Sequence, residues 1–386
     1  MRFPEFKEEW QESSLNDIAD FSKGQGISKD QKSDIGSPCI LYGELYTTYS
    51  SEIIDKVFSK TNIDSTKLVK SKANDIIIPA SGETAIDIAT ARCVKHDNVL
   101  LGGDLNIIRM KDDNNLGDFF CYELNGIRRF DIAQIAQGVS VVHLHASDLK
   151  GINVRFPSFQ EQRKIADFLS LLDKRIEIQK SVIEKLKSLK SAIVDKVLSK
   201  KNTWTEHKLS EIGSFIRGLS YDANSVTVNT NATMVLRSNN IESGYAVNYE
   251  DDVVYVNKDI SKDQQLQKND IVICMANGSS ALVGKASYYD GNYKGAVTVG
   301  AFCGIYRTDN PLIRWIFGSK NYQKGIFNAM QGGNGAIANL HSEDILNLRF
   351  YFPSNKQEEE KIVLFFNRLD LKMKKEITLL ENYRKQ

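Results

Sequence analysis

Apolar residues recur along residues 165–197 at Ile165, Leu169, Leu172, Ile176, Ile183, Leu186, Ile193 and Val197. The steps alternate four and three, with one seam position filled by Gln179. The same phase returns at Ile362, Phe366, Leu369, Met373, Leu380 and Tyr383, with Glu376 at the interrupted position. Each run follows a Phe-Pro-Ser, at Phe156 and at Phe352. Heptad spacing over several turns predicts two long amphipathic helices. Such a helix is unstable alone, because its apolar stripe must be covered. Two stripes in matching phase predict a mutual coiled coil. At 1.5 Å per residue, helices from Gln160 to Lys200 and from Gln357 to Gln386 would be about 60 Å and about 45 Å long.

The matching helices end two copies of one longer plan. "WQESSLNDIADFSKG" from Trp10 aligns with "WTEHKLSEIGSFIRG" from Trp204, placing Lys23 opposite Arg217. "NDIII" from Asn74 aligns with "NDIVI" from Asn269, and "LHASDLKGINVRFP" from Leu144 with "LHSEDILNLRFYFP" from Leu340. These correspondences keep their order, which indicates tandem duplication. Between them lie short β-branched and aromatic runs punctuated by Gly, Asn and Asp, such as "DIIIPASG", "VLLGGDLNIIRM", "ATMVLRSNN", "DVVYV" and "AVTVGAFCGIYR". They predict strands with turns. "NPLIRWIFGSKNYQKGIFNAM" predicts a helix over 310–330 with Pro311 in its first turn. The expected fold is therefore α+β, two mixed domains in tandem, each followed by a long helix. The expected boundaries are 1–157 and 204–354 for the mixed domains, and 158–203 and 355–386 for the helices. An antiparallel helix pair suits this repeat, because it relates the two domains by a pseudo-twofold axis.

Composition narrows the class. A 41% hydrophobic and 26% charged chain of 386 residues is long enough for two or three globular domains. No apolar run approaches a membrane span, and "MRFPEFKEEW" lacks a signal-peptide core, so a cytoplasmic protein is expected. The five cysteines are odd in number and widely spaced, without a CxxC pair, which suits small buried thiols better than a zinc site. A net charge of +1 neither suggests nor excludes nucleic acid, because phosphate binding needs local basic surface and not a basic total.

Catalytic signatures are missing. "DNPL" at Asp309 is similar to the Asn-Pro-Pro-aromatic motif of amino-methyltransferases but lacks the second proline and the aromatic. "QGGNGAIA" from Gln331 is glycine-rich without a P-loop lysine, and "KGQG" from Lys23 is too short to imply a nucleotide. His143 and His145 are matched in the other half by His341 alone, which argues against a required two-histidine metal site. No HExxH or GxSxG occurs. A binding and assembly protein is expected, with no catalytic residues and no metal.

Polar and basic stretches lie between the predicted strands: "FSKGQGISKDQK" in the first half, and "RGLSYD", "LRSNNIESG" and "MANGSS" in the second. Arg, Lys, Asn, Gln and Ser are the side chains that read base edges or hold phosphates. With "RFPEFKEEW", "LNDIADFSKG", "VLRSNNIESG" and the two Phe-Pro-Ser helix starts, the whole chain resembles the specificity subunits of type I restriction-modification systems, HsdS. The second helix start departs from the first, reading Gln357-Glu358-Glu359 against Gln160-Glu161-Gln162.

The resemblance implies one target recognition domain per half, each reading one half of a bipartite double-stranded DNA site. It implies an antiparallel coiled coil that sets the gap between the half-sites. It implies two docked methyltransferase subunits and further restriction subunits, with S-adenosylmethionine, ATP and magnesium used in those partners and none bound here. No membrane partner is implied. Polar type and loop placement nominate Lys23, Gln25, Lys29, Arg92, Gln137 and Ser140 as DNA contacts in the first domain. In the second they nominate Arg217, Tyr221, Arg237, Asn239, Asn277, Ser279, Gln331 and Asn334. The alternatives are the specificity module of a split or fused restriction-modification enzyme, a coiled-coil scaffold without DNA contact, and a stand-alone methyltransferase.

Overall fold

The computed structural model describes residues 2–199, 202–330 and 338–385. The chain divides into two compact units, one of residues 1–180 with 380–386 and one of residues 181–379.

In the first unit a five-stranded sheet runs in the order Ala19–Lys23, Leu105–Met110, Asp75–Pro79, Arg92–Val94, Ile53–Ile54. A four-stranded sheet runs Leu100–Leu101, Ser37–Ile40, Ser59–Thr61, Lys32–Ser33. Asp75–Pro79 is buried throughout. Successive side chains leave a strand on opposite faces. Ile76 and Ile78 accordingly join Phe119 and Phe120 in one core, while Ile77 joins Ile40 and Ile107 in another. A strand covered on both faces reads as an unbroken apolar run, and "DIIIP" is that run.

The second unit repeats the plan. Ser214–Arg217, Cys303–Arg307, Ile271–Cys274 and Ala286–Tyr288 form one sheet. Val226–Thr227, Val254–Val256, Thr233–Leu236 and Val297–Val299 form the other. Ile271 and Ile273 enter one core and Val272 and Cys274 the other. Most pairings are antiparallel. Leu100–Leu101 on Ser37–Ile40 and Val297–Val299 on Thr233–Leu236 are parallel, at the same place in the plan of each unit, and Ile53–Ile54 on Arg92–Val94 is a further parallel pair in the first unit.

The repeated Asn-Asp has a physical basis. Asn74 and Asn269 both adopt positive φ, 78° and 75°. Asn is among the few residues that accept this turn conformation. The next residue clamps an arginine on the directly paired neighbouring strand. Asp75 accepts from Nε and Nη2 of Arg109, both at 2.7 Å, and Asp270 accepts from Nε and Nη2 of Arg307 at 2.9 and 2.7 Å. Each carboxylate also accepts a backbone N–H three residues upstream, from Lys72 and from Gln267.

The long helices span Phe159–Val197 and Lys356–Lys385. In the second unit Lys190 pairs with Asp370 at 2.6 Å, and Val194 and Leu198 share a core with Ile362 and Phe366. In the first unit Arg175 stacks on the Tyr383 ring at 4.2 Å. Later residues of the first helix meet earlier residues of the second, so the helices form an antiparallel coiled coil. The expected seam needs one refinement. Ile165 packs on the first unit's helix-covered core, and Phe366 packs on Trp315 at 5.1 Å between ring centres. The opening turns of both helices thus cover their own globular cores, and Ile183 and Met373 lie buried further along.

The single helix expected over 310–330 is two helices, Ile313–Phe317 and Lys320–Met330. Gly318 and Ser319 interrupt it. The Ser319 hydroxyl donates to the Ile316 carbonyl at 2.6 Å and accepts the Tyr322 N–H at 3.2 Å, which stops one helix and starts the next. Pro311 precedes the first of them rather than lying in its first turn. Among the described residues no helix is long and apolar enough to cross a membrane.

Candidate nucleic-acid interface

Glycine fixes where the first polar loop leaves the sheet. A Cβ on Gly24 would lie 1.9 Å from the Gly102 carbonyl oxygen, and one on Gly218 would lie 2.1 Å from that of Gly300. Only glycine allows these backbones to approach so closely. Lys23 and Arg217 precede these glycines at strand ends and are exposed, as are Gln25 and Lys29 beyond the first.

A second loop stands next to the end of Asp75–Pro79. Ser81–Gly82 pairs with Val142–His143, and Gln137 exchanges two backbone hydrogen bonds with His143 at 2.9 and 2.7 Å. This closes a tight loop that turns at Gly138, φ 129°. Gln137 and Ser140 are exposed on it, and Val139 is 97% exposed. His143, His145 and His341 are exposed, and no cluster of metal-ligating side chains occurs among the described residues.

In the second unit Tyr221, Arg237 and Asn277 line one cleft of about 490 Å³. Arg237 donates through Nη2 to the Asp252 carbonyl oxygen at 3.1 Å and pairs with the Asp252 carboxylate. Asn239 donates to the same carboxylate. Asp252, at φ 52°, therefore holds two nominated contacts in place. Asn277 donates to the Ser238 hydroxyl at 3.0 Å and accepts the Ser279 N–H at 3.0 Å, which orders that loop. Cys303 lines the cleft floor, where burial pushes its thiol up to about 12 and leaves it an inert, protonated group. Gln331 and Asn334 lie outside the described residues.

Arg92 is corrected. The sequence places it among DNA contacts, but it lies inside the first unit. Its Nε donates to the Leu45 carbonyl at 3.0 Å and Nη2 to the Tyr49 carbonyl at 2.8 Å, with Glu52 at 3.8 Å. A guanidinium so engaged ties a loop to the sheet and reads no base. Sequence reasoning missed Asp252 and Phe302. Asp252 is an acid in a region searched for bases. Phe302 is an aromatic in the turn between Val297–Val299 and Cys303–Arg307, 73% exposed. Its only signal is an apolar residue where a turn would ordinarily be polar.

A profile described as the type I restriction modification DNA specificity domain matches residues 7–188 and again residues 201–382. The chain belongs to this family. The two matches coincide with the two repeats of strand order. Among curated specificity-domain proteins, the type I restriction enzyme EcoKI specificity subunit of Escherichia coli (strain K12) is 27% identical over 167 residues. The StySPI specificity subunit of Salmonella potsdam is 28% identical over 167 residues. Each match covers 42% of this chain and 34% of the relative, so it spans about a third of either relative's length. Among solved structures, the type I restriction-modification S subunit from M. genitalium superposes with TM-score 0.59 at 18% identity, over 97% of this chain and 93% of that one. A structure from a study of type I system assembly gives 0.57 at 12% identity, over 100% and 96%. Identities this low speak to the fold.

Proposed function

We propose that the chain is the DNA-reading subunit of a type I restriction-modification complex. Each unit reads one half of a bipartite duplex site, and the antiparallel helices set the spacing between the halves. One observation carries this reading. Two units share a strand order, and each exposes polar side chains from the same strand ends, Lys23 and Gln25 in one and Arg217 in the other. Arg, Lys, Gln and Asn exposed at loop tips can hold phosphates and reach base edges.

The helices also present apolar residues to solvent: Phe168, Leu171 and Ile178 in the first unit, Leu189, Phe365 and Leu371 in the second. Exposed apolar rows of this kind favour docking of other proteins. They support attachment of methyltransferase subunits, and of restriction subunits through them. Adenine methylation and ATP-dependent cleavage then belong to the partners, along with S-adenosylmethionine, ATP and magnesium. This chain contributes recognition and geometry.

Methylome sequencing with and without this gene, beside its methyltransferase, tests the proposal. Loss of one interrupted adenine motif is expected. An unchanged methylome in a cell lacking any second specificity subunit overturns it.

A further inference from the structure

Strand register allows the two units to be compared position by position. Leu105 pairs with Pro79 as Cys303 pairs with Cys274, and Leu101 pairs with Ile40 as Val299 pairs with Leu236. One residue before Leu105 and Cys303, the first unit has the exposed Asp104 and the second has Phe302. One residue after Ile40 and Leu236, the first unit has the buried Leu41 and the second has Arg237. Three residues after Pro79 and Cys274, Gly82 stands opposite Asn277. The cleft of the second unit is thus built from residues that its counterpart lacks.

Its chemistry is specific. Tyr221 and Phe302 supply aromatic walls. Gly278 and Gly300 contribute no side chain to fill the space, and a Cβ added at Gly278 would meet nothing within 4 Å. Arg237, Ser238 and Asn277 line the polar side. The Arg237 Nε–H is buried without an acceptor, and its Nη2 is held by Asp252. An exposed phenylalanine standing on a convex surface could touch a thymine methyl in the groove. A concave cleft with aromatic walls and a donor lacking an acceptor fits a planar heteroaromatic ring carrying acceptors on its edge. A base reaches such a cleft only after leaving its stack.

We propose that this cleft of the second unit receives one unstacked nucleobase, with Phe302 as the stacking wall and Arg237 and Asn277 facing the base edge. The proposal rests on the DNA-reading role above. It makes the second unit a reader of deformability as well as of base edges, because the cost of unstacking depends on the step being opened.

The test uses the full chain with its co-purifying methyltransferase and duplexes carrying the mapped motif. 2-Aminopurine is placed in turn at each position of the half-site read by the second unit. Brightening at one position on binding is expected. Phe302→Ala and Gly278→Leu should abolish the brightening and weaken binding roughly tenfold or more, whereas Phe302→Trp should retain both. Because Phe302 is exposed and Gly278 opens on free space, these variants should fold normally, as checked by unchanged thermal midpoints. Salt-dependent binding without brightening at any position overturns the cleft assignment and leaves the reading role standing. Sensitivity to thymine-to-uracil replacement without brightening also overturns it, placing Phe302 against a stacked pyrimidine. Absence of salt-dependent duplex binding overturns the reading role itself.

Discussion

Asp270 is 2% exposed while its partner Arg307 is 20% exposed, and the two share two hydrogen bonds below 3 Å. The equivalent Asp75 is equally buried, but Arg109 is 38% exposed. Removing the carboxylate charge leaves a less hydrated guanidinium in the second unit than in the first. Asp270→Asn should therefore cost about 2–3 kcal/mol and Asp75→Asn rather less. Urea denaturation of each single variant measures both. Equal losses would mean that exposure of the arginine does not set the cost.

Arg92 and Arg237 were nominated on the same grounds and should now behave oppositely. Arg92→Ala removes a buried guanidinium from two carbonyls and should destabilise the first unit by about 1–3 kcal/mol. The methylated motif should stay the same wherever the chain remains folded. Arg237→Ala should leave the midpoint nearly unchanged and weaken duplex binding by about 1–3 kcal/mol if it meets a guanine edge. Altered motif choice by the Arg92 variant would reverse this assignment.

Asp252 offsets the charge of Arg237 beside the proposed DNA surface. Asp252→Asn should leave one more uncompensated cation there. Non-specific duplex binding should tighten, and the slope of log K against log salt should steepen by about one. A titration across salt concentrations on a duplex without the motif reads this directly. An unchanged slope would place the Arg237–Asp252 pair away from the duplex.

Glu52 lies between Arg92 and Asp173. Burial, and then the neighbouring Asp173 carboxylate, hold its carboxyl above the ordinary range, with Arg92 pulling the other way. The folded chain therefore keeps this proton to higher pH than the unfolded chain. The stability it contributes is full below the unfolded value of about 4.3 and is lost as pH rises through the folded one. Glu52→Gln stays neutral and avoids that loss. Its thermal midpoint should gain on the unsubstituted protein as pH rises from about 4 towards 7. A difference that does not change with pH would remove Glu52 as the titrating group.

Four residues inserted after Lys180 would lengthen the first helix by about 6 Å, close to two base-pair steps. The spacer of the methylated motif should change while both half-sites persist. Altered half-sites would make the helix a reader of sequence and not a ruler.

The helices and the duplication were legible because period and repeat survive sequence divergence. The strands of "DIIIP" and "NDIVI" were legible for the same reason. The arginine clamps were not, because Arg109 and Arg307 lie 34 and 37 residues from their partners. An arginine near the end of the partner strand in both halves was the available signal. Arg92 misled because a basic residue between apolar neighbours looks the same whether it faces solvent or two carbonyls. The cleft was invisible because its walls come from Tyr221, Arg237, Asn277 and Phe302, which only strand register brings together.

The strand Asp75–Pro79 and its counterpart Ile271–Cys274 divide their duties by polarity. At the leading end stands the clamp, Asp75 in one and the adjacent Asp270 in the other. The trailing end runs into Ser81–Gly82 in one and Ala276–Asn277 in the other, beside the loops proposed to meet DNA. Anchorage and vocabulary thus sit at opposite ends of one rod. A loop at the far end can be rewritten without loosening the bolt, so new target sequences can arise on this frame with little threat to folding.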